Sequence, residues 1–477
     1  MLWLCINLPQ LPLEALHTEN DDAVVVVTAC EGSTRWVICC SPAAERMNLQ
    51  APMNYTIALA VHPQLTMLNR KLRAEQAALE RLAAWAYQFS SRVILGEIQE
   101  ELRRSRTACL WLEIGASLTL FGGFRSFIEM LETQLRELRY TYQLGIGPTL
   151  EGASLLARAG IRLAIHTPHA LFTRIRSLPI GKLALAPEIT SQLHIAGVRT
   201  IGSLLELPRA AVAKRFGPEI SGFLDRLMDE AADPRPAFRL PEKYAAHYEF
   251  EFEVKSTEAL LFPLRRMVHE FAGYLRARDT GVQHFTVAFG HRQAPATKIR
   301  IGISTPERNM ERLFSLVREQ LERTELPAPT VSLSVGADEF ATPTALQTDL
   351  LSRAQQQTEE FSHTIDRLSA RLGDENVHGL KLMADHRPET SWQPCSVTEK
   401  PANLCFPDRP LWLLPEPRPL QISEPRIASG PERIETGWWG SEDVQRDYYV
   451  VHMSNGPDLW VFQDLSSSNW YLHGFWS

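Results

Sequence analysis

The feature that most constrains the fold is an alternation of strand and helix patterns between residues 243 and 341. Polar and apolar residues alternate in AAHYEFEFEV, QHFTVAFGH, KIRIGIS and PTVSLSVGADEF, as in half-buried strands. Two segments with helical spacing, which begin at Glu258 and Glu307, separate the first strand from the second and the third from the fourth. This order predicts a split βαβ unit, in which a four-stranded sheet carries two helices on one face.

The N-terminal part also mixes strands and helices. Short apolar strands are predicted in MLWLCINL, AVVVVTAC and RWVICCS, and a helix is predicted from about Leu65 to Phe89. A strand in RTACLWLEIGASLTLF, a helix in GFRSFIEMLETQLRELR and a strand in YTYQLGIGP follow. We expect an α+β module that ends near residue 166 and carries an insertion at about 20–65.

Residues 167–240 contain short helical segments and a glycine-containing turn. The run IAGVRTIGSLLELP fits a helix-hairpin-helix motif, whose hairpin and helix N-termini suit phosphate contacts. The hairpin itself is predicted at Gly197, Val198, Arg199 and Thr200. An ordinary helical bundle with a glycine turn explains this segment equally well.

Composition excludes several classes of protein. The 477 residues have a net charge of −7, which argues against a generally basic nucleic-acid-binding protein. Seven cysteines without a C-x-x-C pair argue against zinc ribbons and disulfide frameworks. No apolar run is long enough for a membrane span, and no signal peptide is visible. We expect a cytoplasmic protein without membrane contact, metal or cofactor.

The order of these modules resembles the Y-family translesion DNA polymerases. The resemblance implies a multidomain α+β fold: a palm with fingers at 1–166, a helix-hairpin-helix thumb at 167–240 and a βαββαβ little finger at 241–341. It also implies that the open face of the little-finger sheet contacts DNA. Candidate contacts there are Arg292, Lys298 and Arg300, which also fit ordinary solvated charges.

The resemblance does not extend to the motifs that carry catalysis. Two-metal phosphoryl transfer needs carboxylates from two palm strands. Matching the family's palm motifs to this chain puts neutral residues at those places, namely Asn7, Gly115 and Ala116. The triphosphate-binding positions match Pro12, Pro42, Glu45 and Leu150. Glu113 remains as a nearby acid without an acidic partner, so we expect no metal site.

This pattern of loss resembles the ImuB family, the polymerase-like proteins of bacterial mutagenesis cassettes. The C-terminal runs RLGDENVHGLKLMADHRPETSW and RPLWLLPEPRPL strengthen the resemblance. It implies an adaptor that binds DNA, the sliding clamp, a RecA-like ImuA-type protein and a separate error-prone DNA polymerase of the replicative alpha-subunit type. The alternative is a weakly active Y-family nucleotidyl transferase that uses Glu113.

The C-terminal region is predicted to contain three parts. A clamp motif and tail helix occupy 342–390, a proline-rich linker 391–433, and an aromatic-rich β meander 434–477. Tryptophans in the meander either pack within the chain or bind a partner: Trp438, Trp439, Trp460, Trp470 and Trp476.

The predicted clamp contact has the form Q-x-[DS]-L-[LF]. It comprises Gln347, Thr348, Asp349, Leu350 and Leu351, after the last little-finger strand. In this motif the glutamine amide is hydrogen-bonded in a polar pocket and the two leucines fill an apolar cleft. A tail helix with these leucines on one face is the alternative. A second match at 64–68 is predicted to be core, because it begins the helix expected from Leu65.

Overall fold

The computed structural model describes residues 1–16, 23–98, 108–342, 353–397, 399, 404, 407–421, 426–437, 443–452 and 457–476. The chain divides into two compact units, Met1–Arg371 and Leu372–Ser477. Among the residues just given, no helix combines the length and apolar character needed to cross a membrane.

The first unit begins with two sheets and the helices around them. In chain order its elements are β1 (Trp3–Leu8), α1 (Leu11–Glu14), β2 (Val25–Glu31), β3 (Thr34–Cys40), α2 (Pro42–Arg46), β4 (Met53–Asn54), α3 (Tyr55–Val61), β5 (Thr66–Asn69), α4 (Leu72–Ala86), β6 (Val93–Leu95), β7 (Ala108–Glu113), α5 (Phe124–Glu137), β8 (Gln143–Gly147) and α6 (Leu150–Ala159). The palm sheet has the order β6-β7-β1-β8, and the smaller fingers sheet has the order β4-β3-β2-β5.

Both faces of the palm sheet are covered. Leu4, Ile6 and Leu8 point to one face, where they pack with residues of α4 and α5. Trp3 and Cys5 point to the other face, where they pack with residues of α6. The consecutive apolar residues of β1 therefore belong to a strand that is buried on both sides.

Two N-terminal predictions were wrong in detail. The helix expected from Leu65 begins only at Leu72, because Thr66–Asn69 forms β5 and pairs in parallel with β2. The strand expected through LTLF ends at Glu113, and the chain then turns before α5. Strand pairing with β2 and the turn before Gly123, whose φ is 102°, override the local patterns.

The next segment is helical. It contains α7 (Pro168–Ile175), α8 (Pro187–Ile195), α9 (Ile201–Leu205), α10 (Arg209–Phe216) and α11 (Pro218–Leu227), with a 3₁₀ turn at Ile180–Lys182. These helices share one core with Leu155 and Leu156 of α6. The Thr149 hydroxyl also donates a hydrogen bond to the carbonyl of Leu227, at 3.0 Å. The predicted thumb is thus anchored on the palm.

The predicted little finger has the expected order of elements. They are β9 (Tyr244–Val254), α12 (Thr257–Ala277), β10 (Val282–His291), β11 (Thr297–Glu307), α13 (Met310–Arg323) and β12 (Thr330–Ala337). The sheet order is β11-β10-β12-β9 and all neighbours are antiparallel. β12 therefore separates the parallel strands β9 and β10, which is a split βαβ arrangement. Helix α14 (Arg353–Leu372) follows, and its Asp366 pairs with Arg312 of α13.

A palm–little-finger contact joins α12 to α4 through buried charged groups. We use this name for Arg81, Tyr140, Arg266 and Glu270. Glu270 is 1% exposed and accepts hydrogen bonds from Arg81 at 2.7 Å and from the Tyr140 hydroxyl at 3.1 Å. The Arg266 guanidinium lies 3.5 Å from the centre of the Tyr140 ring. The Arg266 Nε also lies 3.6 Å from Glu270, so two guanidinium groups flank this one carboxylate.

The close approach of the two helices depends on a glycine in α12. At Gly273 a Cβ atom would lie 2.5 Å from Cδ1 of Trp85 in α4. The absence of a side chain lets the indole ring pack directly on the α12 backbone. A larger residue here would push the little finger away from the palm.

The second unit is mostly β structure. It contains 3₁₀ turns at Asp374–Asn376 and Pro388–Thr390 and the strands β13 (Gly379–Leu382), β14 (Trp392–Cys395), β15 (Trp412–Pro419), β16 (Ile427–Thr436), β17 (Val444–Val451), β18 (Leu459–Asp464) and β19 (Trp470–Phe475). The main sheet has the order β15-β19-β18-β17-β16. The predicted linker therefore supplies two strands of this sheet, and the prediction of a separate meander from residue 434 was wrong.

Candidate nucleic-acid interface and palm site

The palm position that matches a metal-binding acid is occupied by a buried amide. Asn7 is 3% exposed, and its Nδ2 donates a hydrogen bond to Gln143 Oε1 at 2.8 Å. On the neighbouring strand, Cys109 lies opposite Asn7 and Ala108 lies opposite Leu8. Because none of these side chains is acidic, this part of the palm offers no carboxylate pair for Mg²⁺.

Gly115 and Ala116, which were matched to the second palm motif, do not lie opposite Asn7. β7 runs antiparallel to β1, so the chain leaves β7 beside the start of β1, where the Ile114 amide donates to the Leu2 carbonyl at 2.9 Å. Asn7 lies five residues after Leu2, which is roughly 16 Å along a strand. The structure thus assigns Ala108 and Cys109 to the positions that motif matching gave to Gly115 and Ala116.

Glu113 has a structural role at the end of β7. Its Oε1 accepts hydrogen bonds from the amides of Leu2 at 3.2 Å and Gly115 at 3.1 Å. It pairs in register with Trp3, far along β1 from Asn7. Glu113 and Asn7 therefore do not share a site. Within the described residues, no group of three or more His, Cys, Asp and Glu side chains is arranged to hold a metal ion.

The residues matched to the triphosphate site offer few groups that could bind a nucleotide. Pro12 is half-buried in α1, and Pro42 begins α2, where the Ser41 hydroxyl accepts from the Ala44 amide. Glu45 is exposed, and its Oε1 lies 3.5 Å from the Gln10 amide nitrogen. Leu150 is 4% exposed and packs in the palm core, so it does not face a ligand site.

Thiols line the same region and are neutral. The Cys39 thiol donates to Gln10 Oε1 at 2.7 Å, and burial raises the pKa of Cys39 well above its ordinary value. Burial and the neighbouring Glu45 raise the pKa of Cys40 to about 11. The thiols and Glu45 therefore give a triphosphate no positive partner.

The predicted hairpin lies between α8 and α9. Gly197 has a φ of 81°, and its amide and that of Val198 donate to the carbonyls of His194 and Leu193. These two amides are thus used within the hairpin, contrary to the expectation that the hairpin amides contact phosphate. Arg199 is exposed, whereas Val198 is buried and Thr200 caps α9 by accepting from the Ser203 amide. Phosphate contact here would depend chiefly on the Arg199 side chain.

The open face of the little-finger sheet has a smooth centre and charged edges. Thr286, Ala288, Ser334 and Gly336 occupy the middle strands, so no large side chain projects from the centre. On the β11 edge, Lys298 and Arg300 are exposed and lie beside Ala288 and Thr286. Arg292, at the end of β10, lies 3.6 Å from Glu253. Two of the three predicted cations therefore share one edge.

The opposite edge carries an acidic stripe that our sequence reasoning missed. Glu249, Glu251 and Glu253 alternate along β9, and Lys71 pairs with Glu251 at 2.8 Å. The signal was the run YEFEFEV, in which every second residue is acidic. A polyanion on this face would be attracted to the β11 edge and repelled from the β9 edge.

The other predicted site residues fall into two groups. The clamp segment, Gln347 to Leu351, and Trp438 and Trp439 lie outside the described residues. Trp460 is 3% exposed and stacks on Tyr448 at 4.2 Å, while Trp470 and Trp476 are half-buried in the same sheet. These three tryptophans form the sheet's own cores. Among the described residues of this unit, Trp412 and Trp392 are the exposed aromatic residues.

Comparison with known proteins finds a matching family model and similar proteins. The impB/mucB/samB family model matches residues 14–158. Protein ImuB from Caulobacter vibrioides, in strains NA1000 / CB15N and ATCC 19089 / CIP 103742 / CB 15, is 28% identical over 453 residues. The match covers 87% of this chain and 97% of that protein.

Solved structures with some likeness are DNA polymerases. The crystal structure of DinB from Sulfolobus solfataricus is 13% identical and covers 72% of this chain and all of its own chain, with a TM-score of 0.39. The insertion ternary complex of Dbh DNA polymerase is 13% identical and covers 72% of this chain and 99% of its own, with a TM-score of 0.40. The chain is similar to protein ImuB along most of its length, and it has a multidomain α+β architecture with an additional C-terminal β sheet.

Proposed function

We propose that this chain is a non-catalytic adaptor in SOS-induced translesion synthesis and mutagenesis. In this proposal it binds DNA and the sliding clamp and recruits a separate error-prone DNA polymerase. The observation that supports it is the pairing of β1 with β7, which sets Asn7 beside Cys109 and Ala108 in a polymerase-like palm. The proposed adaptor keeps the architecture that supplies surfaces for binding partners. It lacks carboxylates at the palm positions where metal ions would bind.

Primer extension tests the absence of catalysis. We expect no Mg²⁺-dependent nucleotide incorporation by the purified chain. We also expect none after Asn7→Asp, Ala108→Asp and Cys109→Glu, because Pro12, Pro42 and Glu45 still supply no triphosphate donors. Incorporation by the unmodified chain that disappears in Glu113→Ala would establish the alternative, a weakly active nucleotidyl transferase.

The DNA contact is proposed at the β11 edge and at Arg199. We expect binding that is indifferent to sequence and weakens with salt, since phosphates are the only partners these cations need. Replacing Arg292, Lys298 and Arg300 with alanine should lower the slope of log affinity against log salt by about 2 to 3. A matched control replaces three exposed arginines elsewhere, Arg125, Arg136 and Arg318. Equal effects in the two variants would contradict this interface.

The clamp contact is proposed at Gln347, Leu350 and Leu351. The competing match at 64–68 is a poor candidate because Leu65 and Leu68 are buried and residues 66–69 are paired with β2. Changing the three proposed residues to alanine should abolish clamp binding in a pull-down and leave DNA binding unchanged. Gln64→Ala serves as the control, and loss of clamp binding in that variant would favour the N-terminal segment.

The partner proteins are proposed to bind the tail. The error-prone polymerase alpha subunit and the RecA-like ImuA-type protein are the expected partners, and Trp438 and Trp439 are the proposed contacts. Full-length Trp438→Ala/Trp439→Ala protein is tested for binding to each partner, with Trp412→Ala as the control. Retention of both partners by the double variant would show that other residues make these contacts.

A further inference from the structure

Helix α14 carries large apolar side chains on the face that points away from the little finger. Phe361 is 57% exposed and Leu368 is 40% exposed, and Ile365 between them is half-buried. Residues that are three and four positions apart lie on one face of a helix. These three residues therefore form a continuous apolar strip, which we call the outward stripe.

The opposite face of α14 is fixed on the little finger. Asp366 is 4% exposed, pairs with Arg312 of α13 at 2.5 Å and accepts from the Ser304 amide at 2.9 Å. Ala370 is also 4% exposed and belongs to the little-finger core. At about 100° per residue, Asp366 and Ala370 lie about 140° and 180° around the helix from Phe361. The helix thus buries a carboxylate and exposes its large apolar side chains, which is the reverse of an ordinary amphipathic helix.

The charge beside the outward stripe argues against nucleic acid as its partner. The three side chains of the stripe are uncharged. Among the described side chains of α14, the exposed neighbours Glu360 and Arg371 have opposite charges, and Arg367 pairs with Glu319 at 3.0 Å. Because DNA affinity comes largely from cations that neutralise phosphates, a protein surface fits the stripe better.

The size of the outward stripe limits which protein can bind it. Two free proteins that associate stably bury about 800 Å² each. Three partly exposed side chains supply much less than this, so the stripe alone does not hold a free partner or a second copy of the chain. It is sufficient for a protein that is already held nearby, because a short tether raises the effective concentration to about the millimolar range.

The segment before α14 supplies such a tether. The helix begins at Arg353, two residues after Leu351, which is the last residue of the proposed clamp contact. Phe361 lies eight residues further along the helix, which is about 12 Å at 1.5 Å per residue. Even a small folded domain is about 30 Å across. A clamp that holds residues 347–351 is therefore within reach of the outward stripe.

We propose that the outward stripe of α14 is a second contact with the sliding clamp, made once the clamp holds residues 347–351. This second contact rests on the proposed clamp contact and extends it from a short motif to an anchored helix. The motif supplies recognition, and the stripe slows dissociation. Because α14 is fixed on the little finger through Asp366 and Ala370, the clamp is held in a set orientation to the proposed DNA contact on the same domain.

Surface plasmon resonance with immobilised clamp and the full chain measures the second contact. Phe361→Asp/Leu368→Asp should weaken clamp binding about tenfold, mainly through faster dissociation. The matched control Ile57→Asp/Val61→Asp changes two residues of α3 that are 56% and 51% exposed, and it should change the affinity less than twofold. A peptide of residues 343–352 should bind the clamp no more tightly than the stripe variant. Unchanged circular dichroism and DNA binding would verify that the stripe variant is folded.

Photocrosslinking separates the second contact from the motif. Benzoylphenylalanine at position 361 should crosslink to the clamp, and the crosslink should disappear when Gln347, Leu350 and Leu351 are changed to alanine. Clamp binding by that alanine variant would contradict the proposed clamp contact itself. If the alanine variant loses the clamp but the stripe variant binds it as tightly as the α3 control does, the second contact alone is refuted. Loss of self-association or of the ImuA-type protein in the stripe variant, with clamp affinity unchanged, would identify another occupant and also refute it.

Discussion

The two faces of the palm sheet hold their charged groups in different places. On the α4 side, the palm–little-finger contact pairs Arg81 with the buried Glu270 at 2.7 Å. On the α6 side, Glu151 of α6 pairs with Arg235, whereas Asn7 is hydrogen-bonded to Gln143 and lies opposite Cys109. Buried charges are expensive unless they are paired. The comparison indicates that this chain keeps buried charge where it joins two domains and lacks it where a catalytic metal would need it.

The largest expected effect comes from breaking the buried ion pair. Burial acts to lower the pKa of Arg81, but the neighbouring Glu270 carboxylate raises it. The pKa of Arg81 is therefore above its ordinary value. Glu270→Ala leaves Arg81 buried without its counter-charge, so the free energy of unfolding should fall by about 3–5 kcal/mol. Urea denaturation measures this change. The control is Glu311→Ala, which removes an exposed ion pair with Arg265 and should change stability by less than about 1 kcal/mol.

The same side of the palm should be sensitive to acid. Burial, with help from Arg276 and Arg265, lowers the pKa of His269 to about 4. Its Nδ1 lies 3.6 Å from Glu137, but that carboxylate is largely exposed and does not offset the shift. Between pH 6.5 and 4 the unfolded chain binds the proton and the folded chain does not, so stability falls as pH falls.

At pH 5 this histidine should lower the free energy of unfolding by about 2 kcal/mol relative to pH 7.5. The measurement compares urea denaturation at the two pH values in the unmodified chain and in His269→Gln. The variant should lose that part of the pH dependence. The same pH dependence in both proteins would show that His269 is protonated in the folded state.

A smaller effect is expected on the α6 side when a carboxylate is introduced. Asn7→Asp replaces the donor to Gln143 with a buried acid, which should cost about 2 kcal/mol of stability at neutral pH. Burial should raise the pKa of the new carboxyl, so the loss should shrink as pH falls and the group is protonated. Asn69→Asp, at an exposed position, is the control. Equal stability of the two variants at pH 7 would mean that the Asn7 site accepts a charge without difficulty.

The smallest effect is expected at Glu113. Its carboxylate accepts from two main-chain amides, so Glu113→Ala should lower stability by about 1 kcal/mol. Because it does not share a site with Asn7, the variant should show no change in Mg²⁺ binding by isothermal titration calorimetry. A Mg²⁺ signal that is present in the unmodified chain and lost in this variant would reverse our assignment of a structural role.

Local pattern predicted more of the little finger than of the palm site. Alternating residues in β9 to β12 and helical spacing in α12 and α13 predicted the order of elements. In each element the spacing of apolar residues shows which face is buried. The pairing of β1 with β7 could not be read in this way. Both strands are apolar almost throughout, so a motif matched seven residues too late still fitted the pattern.

The tail shows a second limit of sequence reasoning. Proline in residues 391–433 suggested a linker, yet β15 contains Pro415, Pro417 and Pro419. β15 and β16 are the two edge strands of their sheet, and their pairing is interrupted between Leu413 and Arg418 and again between Ser429 and Glu432. Proline is tolerated at such places because no ladder hydrogen bond is required of it. Composition alone does not reveal which strand will be at the edge.

The packing of Gly273 on Trp85 has a consequence for how long a ligand stays bound. Because the little finger is packed on the palm, its sheet lies at a fixed distance from the other domains of the first unit. Two weak contacts to one long ligand then act at a high effective concentration, and no hinge must be ordered on binding. For the proposed DNA contacts, the residence time of DNA should therefore depend on a helix contact that DNA does not touch, and a side chain at position 273 should shorten it.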